Sequence, residues 1–249
     1  MRYFIELSYN GKNYHGWQIQ PNAISVQEVL EKALSTLLRV KTSVVGAGRT
    51  DTGVHASQIF AHFDTDKLLD VKEFTYKLNA ILPKTIVVEK VFRVTDDAHA
   101  RFHATNRSYE YKIITKKNPF LHEYTHLMKL SLDVEKMNEA AAILLSYTNF
   151  RCFSKVKTEV STFNCTITNA EWIFENNQLV FHISANRFLR NMVRAIVGTL
   201  LNVGTGKIEV SAIHDIIKSE DRGAAGVSVP AQGLYLTKVE YPENIIYVE

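Results

Sequence analysis

Residues 46–56 read Gly46-Ala47-Gly48-Arg49-Thr50-Asp51-Thr52-Gly53-Val54-His55-Ala56. Three of the first eight residues are glycine, which indicates a tight backbone or a close approach to something bound. The surrounding segments, 42–48 and 54–63, read as strands, so the residues between them are predicted to form a loop. Such a loop would present the carboxylate of Asp51, with the guanidinium of Arg49 two residues before it.

Two common nucleotide-binding loops do not fit the spacing of these glycines. In a GxGxxG loop that starts at Gly46, the last glycine would fall on Asp51. In a phosphate-binding loop that starts at Gly48, Val54 stands where a lysine is needed. A nucleotide-binding enzyme is therefore disfavoured. A purely structural interpretation stays open, in which Asp51 accepts a hydrogen bond from the amide of Gly53 in an Asx-turn.

Hydrophobic periodicity along the chain predicts strands that alternate with a few helices, without a regular βαβ order. Ser25 and Glu28 have capping-box spacing and predict the start of one helix, and Asp133 is the predicted N-cap of another. Other helices are predicted at 71–80, about 187–202 and 211–219, and other strands at 3–9, 85–94, 108–115, 165–174, 178–185 and 233–241. This pattern favours an α+β fold with helices packed on a mainly antiparallel central sheet.

Length and composition are those of an ordinary globular protein. The chain has 249 residues, enough for one large domain or two modest ones. The polar segment 95–107 is interpreted as a link between an N-terminal half, 1–104, which carries the Asp51 loop, and a C-terminal half, 105–249, which completes the site. The formal net charge is +3, so nucleic-acid binding would depend on a local basic patch rather than on the total charge.

The N-terminus, the cysteines and the histidines bear on location and metal chemistry. The N-terminus turns polar too soon for a signal peptide, and no stretch approaches the ~18 apolar residues of a membrane span, so a soluble cytoplasmic protein is predicted. Cys152 and Cys165 form no CxxC pair, and His99 and His103 lack the HExxH or carboxylate pattern of a metal site. No metal and no cofactor are predicted.

GRTD at 48–51 is followed by GVHA at 53–56, and five further blocks occur along the chain. They are YNGKNYHGWQIQ (9–20, with SVQE at 25–28), DAHARFHAT (97–105), RSYEYKI (107–113), NRFLRNMVRAIVGTLL (186–201) and QGLYL (232–236). Together these blocks resemble the TruA family of tRNA pseudouridine synthases over nearly the whole chain. Thr52 departs from the family, in which alanine is common there, and its hydroxyl is not expected to remove activity.

The resemblance implies a role for five side chains. Asp51 would be the catalytic carboxylate, and Arg49 would help to hold the target base out of the RNA stack. Tyr109 would stack on that base, and Leu234 would pack beneath the active site. A carboxylate in a pocket dry enough to hold uracil needs a cation to stay ionised, and the resemblance implies that Arg194 is this cation.

The residues alone leave other interpretations open for two of these positions. Arg194 interrupts an apolar helix, so it either snorkels to solvent or pairs with an acid of any kind. Tyr109 and Tyr111 alternate along one strand and face the same side, where a tyrosine is often an ordinary core aromatic. We expect Tyr111 to be such a core residue.

Basic residues near the late blocks are predicted to contact RNA. Arg187 and Arg190 have i, i+3 and i+7 spacing with Arg194, which would place all three along one face of the predicted helix. Lys155 and Lys157 follow Phe153 in a loop. Together these cations are predicted to line a cleft between the halves that grips phosphates, which would make binding sensitive to salt.

The family resemblance implies isomerisation of uridine to pseudouridine in the anticodon stem-loop of tRNA, at positions 38–40. It also implies a homodimer, and the reaction consumes no cofactor. Two alternatives stay open. The chain is either a pseudouridine synthase for another RNA, with the same active-site motifs, or a non-catalytic RNA-binding protein on the same fold. The presence of Asp51, Tyr109 and Arg194 argues against the second alternative.

Overall fold

The polypeptide forms two compact units in a computed structural model that describes residues 1–156 and 161–245. The first unit comprises Met1–Thr105 together with the chain from Tyr235 onward, and the second comprises Asn106–Leu234. The chain therefore leaves the first unit after Thr105 and returns to it for the last strand. The predicted functional halves, 1–104 and 105–249, stay a prediction.

The described residues form nine strands and five α-helices. The strands are β1 (Arg2–Tyr9), β2 (Val45–Gly46), β3 (His55–Asp64), β4 (Ile86–Val94), β5 (Asn106–Ile114), β6 (His126–Leu127), β7 (Ile167–Glu175), β8 (Gln178–Ala185) and β9 (Leu234–Glu240). The helices are α1 (Val26–Leu38), α2 (Val71–Ile81), α3 (Val134–Leu144), α4 (Met192–Gly204) and α5 (Ala212–Ser219). The predicted α+β class with mainly antiparallel strands is confirmed.

The strands of the first unit lie in the order β4-β1-β3-β9. β1 is antiparallel to both β3 and β4, and β9 runs parallel to β3. The side chains of β1 are almost completely buried on both faces at Tyr3, Phe4 and Ile5. A strand buried in this way holds its neighbouring strands in place. One of these neighbours, β3, begins at His55, four residues after Asp51.

Both helices of the first unit begin at a side-chain cap. The hydroxyl oxygen of Ser25 accepts a hydrogen bond from the amide of Glu28 at 3.2 Å, as the predicted capping-box spacing requires. Asp70 accepts from the amides of Lys72 and Glu73 at the start of α2. These caps satisfy amides that have no partner inside the helix, so each helix starts at a defined residue.

In the second unit the strands lie in the order β5-β8-β7, all antiparallel, and β6 adds to β5 in parallel. The predicted hairpin between β7 and β8 is confirmed, with its turn at Asn176 and Asn177, whose φ angles are 49° and 59°. Asparagine tolerates this left-handed conformation better than most residues. Asp133 caps α3 as predicted by accepting from the amide of Lys136.

Two predicted boundaries are wrong. The strand expected at 42–48 is only Val45–Gly46. The helix expected at about 187–202 begins at Met192, because Asn191 has a left-handed φ of 66° and interrupts the helical path. Arg187 and Arg190 therefore precede α4, and the idea that they share a helix face with Arg194 is wrong. Among the helices of residues 1–156 and 161–245, none is long and apolar enough to cross a membrane.

Candidate active site

The loop between β2 and β3 carries Asp51, as the glycine pattern predicts, and it lies against the chain segment 9–17. The amide of Trp17 donates to the carbonyl of Thr50, and the amide of Gly53 donates to the carbonyl of Tyr14, both at 3.3 Å. The amide of Gly53 thus bonds to the carbonyl of Tyr14. A backbone bond on each side of Asp51 holds the loop.

Two side-chain contacts reinforce this attachment. The hydroxyl groups of Tyr9 and Thr50 lie 2.7 Å apart, within hydrogen-bond distance. The ring nitrogen Nδ1 of His55 accepts from the amide of Gly11 at 3.1 Å, and the His55 ring stacks on Tyr235 with 4.7 Å between centroids. Because His55 itself is buried, these contacts anchor the end of the Asp51 loop where β3 begins.

Glycines allow the two segments to approach this closely. Gly16 has a φ of 82°, and a Cβ on it would collide with the carbonyl oxygen of Thr50. A Cβ on Gly46 would lie 2.5 Å from the indole of Trp17. Gly48, in contrast, faces open space. Gly16 and Gly46 therefore allow the close approach of the two segments, because a side chain at either position would collide.

Exposure differs between the two charged residues of the loop. The side chain of Asp51 is half-buried, whereas Arg49 and Thr52 are exposed. A half-buried carboxylate on a held loop can be presented to a ligand in one orientation. An exposed arginine two residues away can reach a phosphate or a base, as its predicted role requires.

Tyr109 and Tyr111 alternate on β5 in the second unit. Tyr109 is half-buried and contacts the ring of Phe188 edge-on, at 5.1 Å between centroids. Tyr111 is fully buried, and its hydroxyl donates to the carbonyl of Pro230 at 2.9 Å. Burial raises the pKa of Tyr111 strongly, against the opposing effect of the nearby Arg194 charge. Tyr111 is a core residue, as expected, and Tyr109 keeps part of its ring accessible.

Arg194 lies in the first turn of α4 and is half-buried. Its side-chain Nε donates to the carbonyl of Val229 at 2.8 Å, and the amide of Val229 donates to the Arg194 carbonyl at 3.2 Å. This reciprocal pair fixes the plane of the guanidinium. Leu234 is buried at the start of β9, with 5% of its surface exposed.

The predicted RNA-contacting residues fall in two groups. The amide of Lys155 donates to the carbonyl of Arg190 at 3.0 Å, so these two neighbouring positions, both with exposed side chains, form one basic edge. Arg187 is half-buried and precedes α4. Lys157 lies outside the described residues. The structure therefore brings Lys155 and Arg190 together.

The sequence pattern does not indicate several of the side chains that build the site. Tyr9, His55 and Phe188 stood inside the recognised blocks, but nothing in the local pattern indicated what they contact. Segment 225–230, which holds Arg194, carried no signal beyond its glycine and proline. Within residues 1–156 and 161–245, no group of three or more His, Cys, Asp or Glu side chains is placed to hold a metal ion.

Comparison with known proteins supplies the family. A sequence model described as tRNA pseudouridine synthase matches residues 7–103 and 140–242. The chain belongs to this family. The matched ranges of this tRNA pseudouridine synthase include the Asp51 loop, α4 with Arg194, and Leu234, whereas Tyr109 falls between them. The predicted family resemblance and the predicted enzyme class, an isomerase, are both confirmed.

Individual relatives match this tRNA pseudouridine synthase over nearly all of its length. A tRNA pseudouridine synthase A of Bacteroides thetaiotaomicron is 54% identical over 251 residues, covering 100% of this chain and 93% of the relative. One from Bacteroides fragilis is 55% identical, covering 98% of both chains. One from Parabacteroides distasonis is 51% identical, covering 100% of this chain and 99% of the relative. The similarity therefore extends through both compact units.

Proposed function

We propose that this chain converts uridine to pseudouridine in the anticodon stem-loop of tRNA, at positions 38–40, with Asp51 as the catalytic carboxylate. The observation that carries the proposal is the immobilised Asp51 loop. Backbone bonds from Trp17 and to Tyr14 hold it on both sides of the carboxylate. Catalytic groups are effective when they are preorganised in this way, because no reorganisation is needed during the reaction.

The reaction breaks the C1′–N1 bond of a uridine, turns the free base, forms a C1′–C5 bond and releases the proton from C5. Every atom of the substrate except that proton, which is replaced at N1 from solvent, stays in the product, so no cofactor is consumed. The target base must first leave the RNA stack. Asp51 acts at the sugar or at the base while the glycosidic bond is broken.

Two residues of the second unit complete the proposed chemistry. The half-accessible ring of Tyr109, braced by Phe188, is suited to stack on the extruded uracil. Arg194 supplies a cation for the catalytic carboxylate, and its guanidinium is oriented through Nε by the carbonyl of Val229. Leu234 provides an apolar floor beneath the site.

RNA binding is proposed to use the exposed cations. Lys155 and Arg190 form one basic edge, and Arg187, Lys157 and Arg49 are proposed as further RNA contacts. Cations that contact phosphates release counterions, so the affinity for tRNA is expected to fall as salt rises. We also propose that residues 1–104 and 105–249 act as two functional halves, and that the enzyme is a cytoplasmic homodimer.

Mapping the modified positions tests the substrate proposal. Unmodified tRNA transcripts are incubated with the enzyme, treated with a carbodiimide that marks pseudouridine, and read by primer extension. The expected stops lie at uridines 38–40, and a transcript with cytidines at those positions is the matched control. Stops only elsewhere in tRNA, or only in another RNA, would show that the anticodon stem-loop is not the substrate. Binding of tRNA without any stop would favour a non-catalytic RNA-binding protein.

A further inference from the structure

Segment 225–230 of the second unit lies directly against α4. The amide of Gly226 donates to the buried hydroxyl of Thr199 at 2.8 Å. A Cβ on Gly198 would collide with the carbonyl oxygen of Val227, and a Cβ on Gly226 would lie 2.7 Å from the carbonyl carbon of Gly198. Since neither side leaves room for a side chain, the segment is held at a fixed distance from the helix.

The same segment accepts hydrogen bonds from one proposed functional side chain and one core side chain through its carbonyl groups. The carbonyl of Val229 accepts from Nε of Arg194 at 2.8 Å. The next carbonyl, of Pro230, accepts from the hydroxyl of Tyr111 at 2.9 Å. A shift of this segment would therefore change the plane of the Arg194 guanidinium and disturb the buried Tyr111 beside Tyr109 on β5.

Arg222 forms hydrogen bonds to three residues of this segment. One terminal nitrogen of its guanidinium, Nη1, donates to the carbonyls of Ala225 at 3.4 Å and Gly226 at 3.1 Å. The other, Nη2, donates to the hydroxyl oxygen of Ser228 at 2.9 Å. That oxygen also accepts from the side-chain amide of Asn191, the residue before α4, at 2.6 Å.

We infer that Arg222 is a positioning residue for Arg194. It touches no part of the proposed site, and it acts by fixing residues 225–228 so that the next carbonyl, of Val229, meets Nε of Arg194. The planar fork of arginine can serve three acceptors at once, which a lysine ammonium cannot do in the same geometry. The inference rests on the proposed function, in which Arg194 takes part in the chemistry.

Activity measurements on Arg222→Ala test the inference. A displacement of about 1 Å at a catalytic group can cost roughly 100-fold in rate, so we expect kcat to fall about 10- to 100-fold while KM for tRNA changes less than about twofold. Arg222→Lys should recover only part of the rate. Lys218→Ala, which removes an exposed cation at the end of α5, is the matched control and should match the wild type.

A second variant keeps the test decisive if Arg222→Ala fails to fold. Ser228→Ala leaves the backbone carbonyls in place and removes only the hydroxyl that joins Arg222 to Asn191, so we expect a smaller fall in kcat, of about 3- to 10-fold. Unchanged kcat in folded Arg222→Ala, or in Ser228→Ala, would overturn the inference. A rise in KM with unchanged kcat would overturn it as well, because it would make Arg222 an RNA contact.

A spectroscopic measurement on Arg194 distinguishes failure of this inference from failure of the proposed function. In a nitrogen-15 spectrum of arginine Nε groups, the Arg194 signal is assigned from its loss in Arg194→Lys. Arg222→Ala should shift this signal and speed its hydrogen exchange, and an unchanged signal would overturn the inference. Failure of the proposed function would show differently: wild type would form no pseudouridine, or Asp51→Asn would still form it, whatever happens at Arg222.

Discussion

The hydroxyl groups of Tyr9 and Thr50 lie 2.7 Å apart, although 41 residues separate them in the chain. Thr50 directly precedes Asp51, and Tyr9 ends β1, the strand that is buried between β3 and β4. The contact thus links the residue before the proposed catalytic carboxylate to a buried strand that pairs on both sides. It therefore restrains the position of the Asp51 loop.

Tyr9→Phe keeps the ring and removes this hydroxyl, so it should slow the reaction with little loss of structure. We expect a loss of about 1 kcal/mol in the free energy of unfolding and a fall in single-turnover rate. Tyr14→Phe is the matched control, because the Tyr14 hydroxyl bonds to Thr85, 2.7 Å away. It should lose similar stability and keep the rate. Equal rates for both variants would contradict a role for the Tyr9 contact in placing Asp51.

Gly16→Ala should destabilise the first unit, because it adds a Cβ against the Thr50 carbonyl and forces alanine to a φ of 82°. Such strain costs about 1–3 kcal/mol, and the collision adds to it. Gly48→Ala, in the glycine-rich loop, faces open space and should change the free energy of unfolding little. Urea denaturation of the two variants checks this, and equal stabilities would mean that segment 9–17 does not press on the loop.

The low pKa of His62 should reduce the free energy of unfolding of the protein in mild acid. Burial, with the charge of Arg2 and the neighbouring His99, lowers the pKa of His62 to about 4, whereas in the unfolded chain it is about 6.5. The unfolded state therefore binds the extra proton first, and stability present above pH 6.5 is lost as pH falls towards 4. The loss amounts to about 3 kcal/mol at most.

His62→Asn removes this titration and can keep the acceptor, because Nδ1 of His62 accepts from the amide of Ala100 at 3.1 Å. The free energy of unfolding is measured in urea between pH 7.5 and pH 4. Wild type should lose more stability than His62→Asn over this range, and His15→Asn, which replaces an exposed histidine, should behave as wild type. Identical pH profiles for wild type and His62→Asn would show that the folded protein protonates this ring without cost.

The two cysteines should resist alkylation while the protein is folded. Burial raises the pKa of Cys152 to about 12 and that of Cys165 to about 11, and at most 1% of either residue is exposed. At pH 8 iodoacetamide should react roughly 100-fold or more slowly than with the unfolded chain. Mass spectrometry after timed quenching measures this, and rapid labelling of the native protein would contradict the buried positions.

Local signals in the sequence predicted the elements whose ends are set by one or two neighbouring residues. The helix caps at Ser25 and Asp133 and the turn at Asn176–Asn177 are of this kind, because the side chain or the φ angle needed lies within the motif itself. The predicted start of α4, at about residue 187, is five residues too early. Asn191 has a left-handed φ, and its side chain bonds to Ser228, 37 residues away, a contact that no local pattern contains.

The same distinction between local signals and long-range contacts applies to the candidate site. The glycine spacing around Asp51 predicted a tight loop between strands, since glycine itself carries the conformational information. Tyr9, Gly16 and His55 help to hold that loop. Their contacts join residues more than 30 positions apart in the sequence, so they are seen only in the folded chain. The clamp on Arg194 by Val229 is equally non-local.

Release of tritium from tRNA labelled at C5 of uridine tests the central claim, that Asp51 is the catalytic carboxylate. Forming pseudouridine at C5 must expel the tritium, so wild type should release it into water. Asp51→Asn should release none and still bind tRNA, while Asp66→Asn, which changes an exposed aspartate outside the loop, should match the wild type. Release by Asp51→Asn at the wild-type rate would contradict the claim.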